Sequence, residues 1–170
     1  MSIAFSPDGR FLASGARDKK TINLWDLATC RSRSLFRGAL GPITSVAFSA
    51  DGNLLAAACS IDRPVRLWDV NSGRMWRQIE GHKGGTNSVS FSPDGVTLTT
   101  SGNDGFVKLW RVATGEQLAC LDGQSLWLPN LAFSADGRTL FATGSDNNFR
   151  LWDMDDIFPG KCSLDRKSVV

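Results

Sequence analysis

Three side chains in the middle of the chain have the chemical types needed for nucleophilic catalysis: His82, Thr100 and Asp104. A hydroxyl becomes a nucleophile when an imidazole takes its proton and a carboxylate orients that imidazole. His82 is the only histidine in the chain, so a metal site built on several histidines is not expected. The four cysteines lie far apart without a CxxC pair, which argues against a disulfide framework or a zinc site. We therefore expect no metal and no cofactor.

The segment that carries these three residues is one of four copies of a single pattern. The Asp-Gly pairs are separated by 43, 43 and 42 residues: Asp8-Gly9, Asp51-Gly52, Asp94-Gly95 and Asp136-Gly137. A phenylalanine precedes each aspartate by three residues: Phe5, Phe48, Phe91 and Phe133. The tryptophans keep the same period: Trp25, Trp68, Trp110 and Trp152. Parts of the trio recur in every copy, which is not expected of a catalytic site, so a structural role is favoured.

Each copy predicts four short antiparallel strands. Apolar residues alternate in the first strand, as in residues 45–48. Asp-Gly predicts a tight turn, because glycine accepts positive φ and aspartate can bond its own backbone. A third strand ends at the tryptophan, and outer strands are predicted near residues 33–36, 75–79 and 117–121. One such blade cannot bury both its faces, whereas blades placed around an axis can, so the pattern predicts an all-β, partial propeller of about four blades.

These residues resemble the WD-repeat (beta-transducin-like) propeller family. The name-giving dipeptide occurs as Trp25-Asp26, Trp68-Asp69 and Trp152-Asp153, whereas the third copy has Trp110-Arg111. The resemblance covers residues 2 to about 153, with repeats at about 1–26, 38–69, 81–111 and 123–153. Residues 154–170 match a strand poorly and are expected to form a loose C-terminal tail.

The resemblance implies that a buried chain of hydrogen bonds ties each blade together. Only the third copy supplies every member of this structural network: His82, Thr100, Asp104 and Trp110. The first copy retains three members: Ser14, Asp18 and Trp25. Ala57 and Ala142 replace the hydroxyl residue in the second and fourth copies, although Gln124 at the histidine position of the fourth could still donate and accept.

The resemblance also implies a protein-binding face where the central channel is narrow. Carried over position by position, this face comprises Pro42, Gly85, Trp127, Arg17, Ile61, Asn103 and Ser145. Trp127 differs most from the other copies, which have proline or glycine there. An exposed tryptophan is a typical interface anchor, but Trp127 could equally fold over the blade edge. Trp76 also lacks a counterpart, and we expect it to pack under a turn.

The formal net charge of +2 offers no basic face for nucleic acid. The sequence predicts neither a signal peptide nor a spanning helix, because its first residues lack a basic end before an apolar core and it contains no run of about 20 apolar residues. We expect a non-catalytic protein–protein interaction scaffold, cytoplasmic or nuclear, whose partner is a protein or peptide and not a nucleic acid or a membrane. The alternative is a regulatory or targeting module of a multidomain enzyme, such as a kinase or protease.

Four blades in an open arc would leave two end faces exposed. Three explanations remain open at this point. The chain is a fragment or shortened form of a larger propeller, two copies associate through the open edges into an eight-bladed ring, or the chain forms a small closed ring or an open arc.

Overall fold

A computed structural model describes residues 2–15, 21–37, 41–61, 64–125 and 127–158. Within these ranges the chain forms four antiparallel sheets, one for each sequence copy, which we call the first to fourth blades. The first blade is β1 (Ser2–Phe5), β2 (Phe11–Gly15), β3 (Thr21–Asp26) and β4 (Arg31–Arg37). The second is β5 (Ile43–Phe48), β6 (Leu54–Cys59), β7 (Val65–Asp69) and β8 (Met75–Ile79). The third is β9 (Thr86–Phe91), β10 (Thr97–Gly102), β11 (Phe106–Arg111) and β12 (Gln117–Asp122). The fourth has three strands, β13 (Asn130–Phe133), β14 (Thr139–Thr143) and β15 (Phe149–Asp153).

The same turn joins the first two strands of every blade. In the first blade the hydroxyl of Ser6 donates to Asp8 Oδ1 at 2.6 Å, and the backbone N–H of Arg10 donates to the same oxygen at 3.0 Å. Gly9 closes the turn at φ 71°, where a side chain would be strained. Ser49–Asp51, Ser92–Asp94 and Ser134–Asp136 repeat the hydroxyl–carboxylate bond. These contacts explain why the Ser-x-Asp-Gly pattern recurs with the period of the blades.

The blades stand in chain order, with the first strands next to one another: β1 contacts β5, β5 contacts β9 and β9 contacts β13. An apolar cluster fills each of the three junctions. Three leucines at equivalent positions of the third strands are completely buried there: Leu24, Leu67 and Leu109. The core therefore lies between the blades, which confirms the predicted all-β partial propeller of four blades.

The start of the C-terminal segment differs from the loose tail expected from residue 154. Residues Met154–Ile157 form a short helix, α1, whose first turn is capped by the carboxylate of Asp153 through the N–H of Asp155 at 2.8 Å. Met154, Ile157 and Phe158 share one side of this turn and pack against the cluster between the third and fourth blades. Their spacing suits one helical turn rather than a strand. Residues 159–170 lie outside the described ranges, and for them the loose tail stays a prediction.

Within the described ranges, no helix has the length and apolar character needed to cross a membrane.

Candidate functional site

The predicted polar network of the third blade forms a continuous chain of hydrogen bonds. Trp110 Nε1 lies 2.9 Å from Thr100 Oγ1, which lies 2.8 Å from His82 Nε2. The other ring nitrogen, Nδ1, lies 2.7 Å from Asp104 Oδ1. The carboxylate can only accept, so Nδ1 carries the imidazole proton. In the neutral ring Nε2 then accepts from the threonine hydroxyl, whose oxygen accepts from the indole. Each polar group therefore has a partner.

The charges of the network follow from its burial. Burial lowers the pKa of His82 below its usual value of 6.5, and this effect exceeds the opposite influence of the Asp104 carboxylate. Burial alone would raise the pKa of Asp104, but hydrogen bonds from His82 and from the N–H of Lys83 hold that pKa below 3.8. Near neutral pH the pair is thus a neutral imidazole that donates to a carboxylate.

The free energy of unfolding is expected to fall as the pH drops from about 7 to about 5. The folded pKa of His82 lies below the unfolded value of 6.5, so the unfolded chain binds a proton that the folded chain does not. Stability that is present above about pH 6.5 is therefore lost as the pH falls through that value. Asp104, whose folded pKa is also lowered, contributes a further loss only below its unfolded value of 3.8.

Urea titrations at about pH 7.5 and 5.5, above and below the pKa of a free histidine, would measure the effect. His82→Gln is the matched control, because glutamine does not titrate and the pH dependence of this variant should be shallower. A wild-type protein that is more stable at about pH 5.5 than at about pH 7.5 would contradict the assignment of a neutral His82.

The order of donors and acceptors resembles that of a hydroxyl–imidazole–carboxylate triad, but the surroundings differ. Thr100 has no exposed surface and His82 is 1% exposed. The oxygen of Thr100 already accepts from Trp110. A catalytic hydroxyl must reach the carbon that it attacks, so this burial favours a structural role for the network.

Two residues that the sequence analysis missed complete the surroundings of His82. A Cβ on Gly102 would lie 2.3 Å from His82 Cβ, so only glycine leaves room for the imidazole. Lys108 Nζ donates to the carbonyl of Gly81 at 2.8 Å and lies 3.9 Å from Asp104 Oδ2. The sequence carried only a weak signal for Gly102, because among the other copies only the fourth has a glycine two residues before its turn aspartate, namely Gly144.

Among its described residues, the first copy keeps one bond of the network. Trp25 Nε1 donates to Ser14 Oγ at 3.2 Å, which repeats the bond between Trp110 and Thr100. Asp18 lies outside the described ranges. In the second copy, Ala57 is buried at the position of Thr100, and Asp62 lies outside the described ranges.

The fourth copy satisfies its turn aspartate differently. Arg150 donates to Asp146 through both terminal nitrogens, at 2.7 and 2.5 Å, and also to the carbonyl of Gln124 at 3.0 Å. This guanidinium holds the pKa of Asp146 far below its usual value. Gln124, whose backbone φ is 50°, thus contributes its carbonyl oxygen to this arrangement. The side-chain amide was expected to do so at the histidine position.

Three of the predicted binding-face residues line one recess of about 400 Å³: Pro42, Asn103 and Trp127. Its other lining residues are Ile43, Thr44, Ser60, Asn87 and Pro129. All eight side chains are uncharged. Asn87 Nδ2 donates to Asn103 Oδ1 at 2.9 Å, and Asn103 Nδ2 donates to the carbonyl of Gly84 at 2.7 Å. The recess therefore joins a polar amide cluster to an apolar rim of proline and tryptophan.

Trp127 is 52% exposed although its backbone is held in place. Its carbonyl accepts from the N–H of Ser145 at 3.0 Å. The next residue, Leu128, is completely buried, and its carbonyl accepts from the hydroxyl of Ser101 at 2.7 Å. The loop thus presents an open indole on a backbone whose carbonyls at Trp127 and Leu128 are both hydrogen-bonded.

The remaining predicted face residues have different surroundings. Ile61 is largely exposed beside Ser60. Gly85 is enclosed: a Cβ there would lie 1.8 Å from the carbonyl oxygen of Ser60, and its φ is 107°. The hydroxyl of Ser145 lies 3.3 Å from that of Ser125. Arg17 lies outside the described ranges.

Trp76 lies elsewhere, on the outer strand β8, where it is 42% exposed and helps line a groove between the second and third blades. The guanidinium of Arg77 lies 4.9 Å from the centre of its ring and also donates to the carbonyls of Ala113 and Thr114. Trp76 thus has a turn nearby without being buried under it.

Among the described residues, no cluster of three or more histidine, cysteine, aspartate or glutamate side chains has a geometry that could hold a metal ion.

The family model described as "WD domain, G-beta repeat" matches the chain four times, at residues 1–26, 30–69, 73–111 and 115–153. Each match after the first begins at an outer strand. The segment 30–69, for example, contains β4, which belongs to the first blade, and β5 to β7, which belong to the second. Each repeat therefore ties two neighbouring blades together through the continuous chain.

Proposed function

The chain belongs to the WD domain, G-beta repeat family, whose repeats generally serve as protein-interaction scaffolds. On that premise we propose that this chain is a non-catalytic scaffold, which binds a protein or peptide at the recess beside Trp127. The observation that carries the proposal is the half-exposed indole of Trp127 on a backbone bonded through Ser145 and Leu128. A rigid aromatic anchor loses little conformational freedom on binding, and tryptophan is enriched at the centres of interfaces.

The lining of the recess supports a particular kind of partner. Its eight side chains carry no charge, so an acidic or basic segment would lose its hydration there without gaining an ionic partner. Trp127, Pro42 and Pro129 offer apolar contact, and Asn87 and Asn103 bring amide groups that can bond to a peptide backbone. The partner segment is an uncharged stretch with an apolar or aromatic side chain that packs on Trp127.

The proposed setting is the cytoplasm or the nucleus. Cys30 and Cys120 are exposed free thiols, which suit a reducing compartment. The proposal excludes catalysis because the hydroxyl of Thr100 is buried and bonded. It excludes nucleic acid because a formal net charge of +2 offers little attraction to phosphates.

The substitution Trp127→Ala is expected to weaken partner binding by about 30-fold or more, since loss of a central anchor costs at least about 2 kcal/mol. Affinity capture from cell extract followed by quantitative mass spectrometry measures the proteins retained by each variant. Trp76→Ala is the matched control, because it removes another half-exposed tryptophan on a different surface. The melting temperatures of both variants should stay near that of the wild type, because each side chain is half exposed. Identical sets of captured proteins for the wild type and Trp127→Ala would refute the proposed docking site.

A further inference from the structure

Every junction between neighbouring blades joins two different faces. The preceding blade contributes what we call its leucine face, which carries a completely buried leucine of the third strand: Leu24, Leu67 or Leu109. The following blade contributes its tryptophan face, which carries Trp68, Trp110 or Trp152. Two faces therefore have no partner blade among the described residues: the tryptophan face of the first blade and the leucine face of the fourth.

The leucine face of the fourth blade exposes side chains whose counterparts are buried. Leu151 is 59% exposed and Phe149 is 66% exposed. The equivalent residues of the third blade, Leu109 and Val107, have no exposed surface. This face thus has the apolar character of a junction and lacks a cover within the described ranges.

The tryptophan face of the first blade shows the same contrast. Ile3 is 58% exposed, and Trp25 is also partly open to solvent. The residues equivalent to Ile3 in the other blades are all buried: Val46, Val89 and Leu131. Each of the two open faces therefore resembles one half of the junctions that hold the blades together.

A hydrogen bond of fixed register crosses all three junctions. Serine hydroxyls on the preceding blade accept from backbone N–H groups of the following blade, namely Ser2 from Val46 at 3.1 Å, Ser45 from Val89 at 3.3 Å and Ser88 from Leu131 at 3.2 Å. The fourth blade has the exposed Asn130 at the serine position, and an amide oxygen can accept in the same way. The first blade has Ile3 at the donor position. The polar halves of a further junction are thus present on the two open faces.

We propose that these faces join two copies of this chain, the leucine face of each copy packing on the tryptophan face of the other. The contact is heterologous, and two identical contacts related by a twofold axis close a ring. Two chains of four blades form a ring of eight, which lies within the range of four to eight blades typical of propellers. One copy can bind another because each chain carries both halves of the junction, so that the leucine face of one copy meets the tryptophan face of the other.

Light scattering coupled to gel filtration tests the proposal. At micromolar concentration the wild type should have twice the 18.4 kDa mass of one chain. Leu151→Glu on one face and Ile3→Lys on the other should each raise the dissociation constant by about 100-fold or more, because each places an unpaired charge in an apolar contact. Met75→Glu, at an exposed position of β8 outside both faces, is the control that should remain a dimer.

Mixing the two variants tests the head-to-tail arrangement. A mixture of Leu151→Glu and Ile3→Lys chains should form dimers again, since one of its junctions is unaltered and the other brings glutamate next to lysine. A wild type that stays at 18.4 kDa at all concentrations would overturn the proposal. So would a dimeric Ile3→Lys chain, which would indicate that two leucine faces pack together, or a mass that keeps growing with concentration. Circular dichroism checks that each variant is folded. If Leu151→Glu or Ile3→Lys does not fold, the milder substitution at the same position, Leu151→Ser or Ile3→Ser, takes its place.

Discussion

Truncation of Leu109 to alanine is expected to lower the free energy of unfolding by about 2–5 kcal/mol. Leu109 has no exposed surface and fills the junction between the third and fourth blades, where it packs with Leu131 and Leu140. The loss combines the transfer free energy of the removed methyl groups with the cavity that remains, because blades anchored by their backbone hydrogen bonds close the gap only partly. Urea denaturation followed by tryptophan fluorescence measures the change.

The chain contains its own matched control for this substitution. Leu151 occupies the same position in the fourth blade but is 59% exposed. At a protein concentration low enough for single chains to predominate, Leu151→Ala should change the stability by less than about 1 kcal/mol, since an exposed side chain gains little from folding. Equal losses for the two variants would contradict a core that lies between the blades.

Replacement of His82 with alanine is expected to destabilise the protein by about 1–3 kcal/mol. The substitution leaves the hydroxyl of Thr100 without its acceptor and the carboxylate of Asp104 without its strongest donor, and both groups are largely enclosed. A loss of this size corresponds to a fall in melting temperature of several degrees for a chain of this length. Differential scanning calorimetry measures it directly.

Lys83→Ala is the control for the His82 substitution, because it changes the adjacent exposed side chain and keeps the backbone N–H that donates to Asp104. Its melting temperature should stay within about 1–2 °C of the wild type, as for most surface substitutions. If His82→Ala melts at the wild-type temperature, the network does not have the structural role assigned to it.

The fold could be predicted from the sequence because its determinants are local and repeated. The Ser-x-Asp-Gly turn requires a serine, an aspartate and a glycine at fixed spacing, as the bonds between Ser6, Asp8 and Arg10 show. Four copies of this turn and of the tryptophan that follows it specify short strands of regular length. The apolar alternation then determines which side of each strand faces a neighbouring blade.

The features that could not be predicted depend on contacts between distant positions or on compensation. Gly102 is needed because of the space that His82 occupies, which is a tertiary requirement. Arg150 satisfies Asp146 where the histidine and the hydroxyl residue are missing, and the position of this arginine in a strand gave no sign of that role. The helical turn at Met154 forms because three apolar residues reach the cluster between the last two blades, and this packing depends on a tertiary contact rather than on a strand-like pattern.

The residues that the copies share and the residues that distinguish them have different roles. The repeated residues hold the blades together, and the binding proposal concerns Trp127, which the other copies lack. Partner capture by His82→Ala and Trp127→Ala, compared side by side below the melting temperature of both, tests this separation most directly. We predict that His82→Ala captures the same proteins as the wild type, whereas Trp127→Ala loses them. Loss of capture in His82→Ala together with wild-type capture in Trp127→Ala would contradict the account.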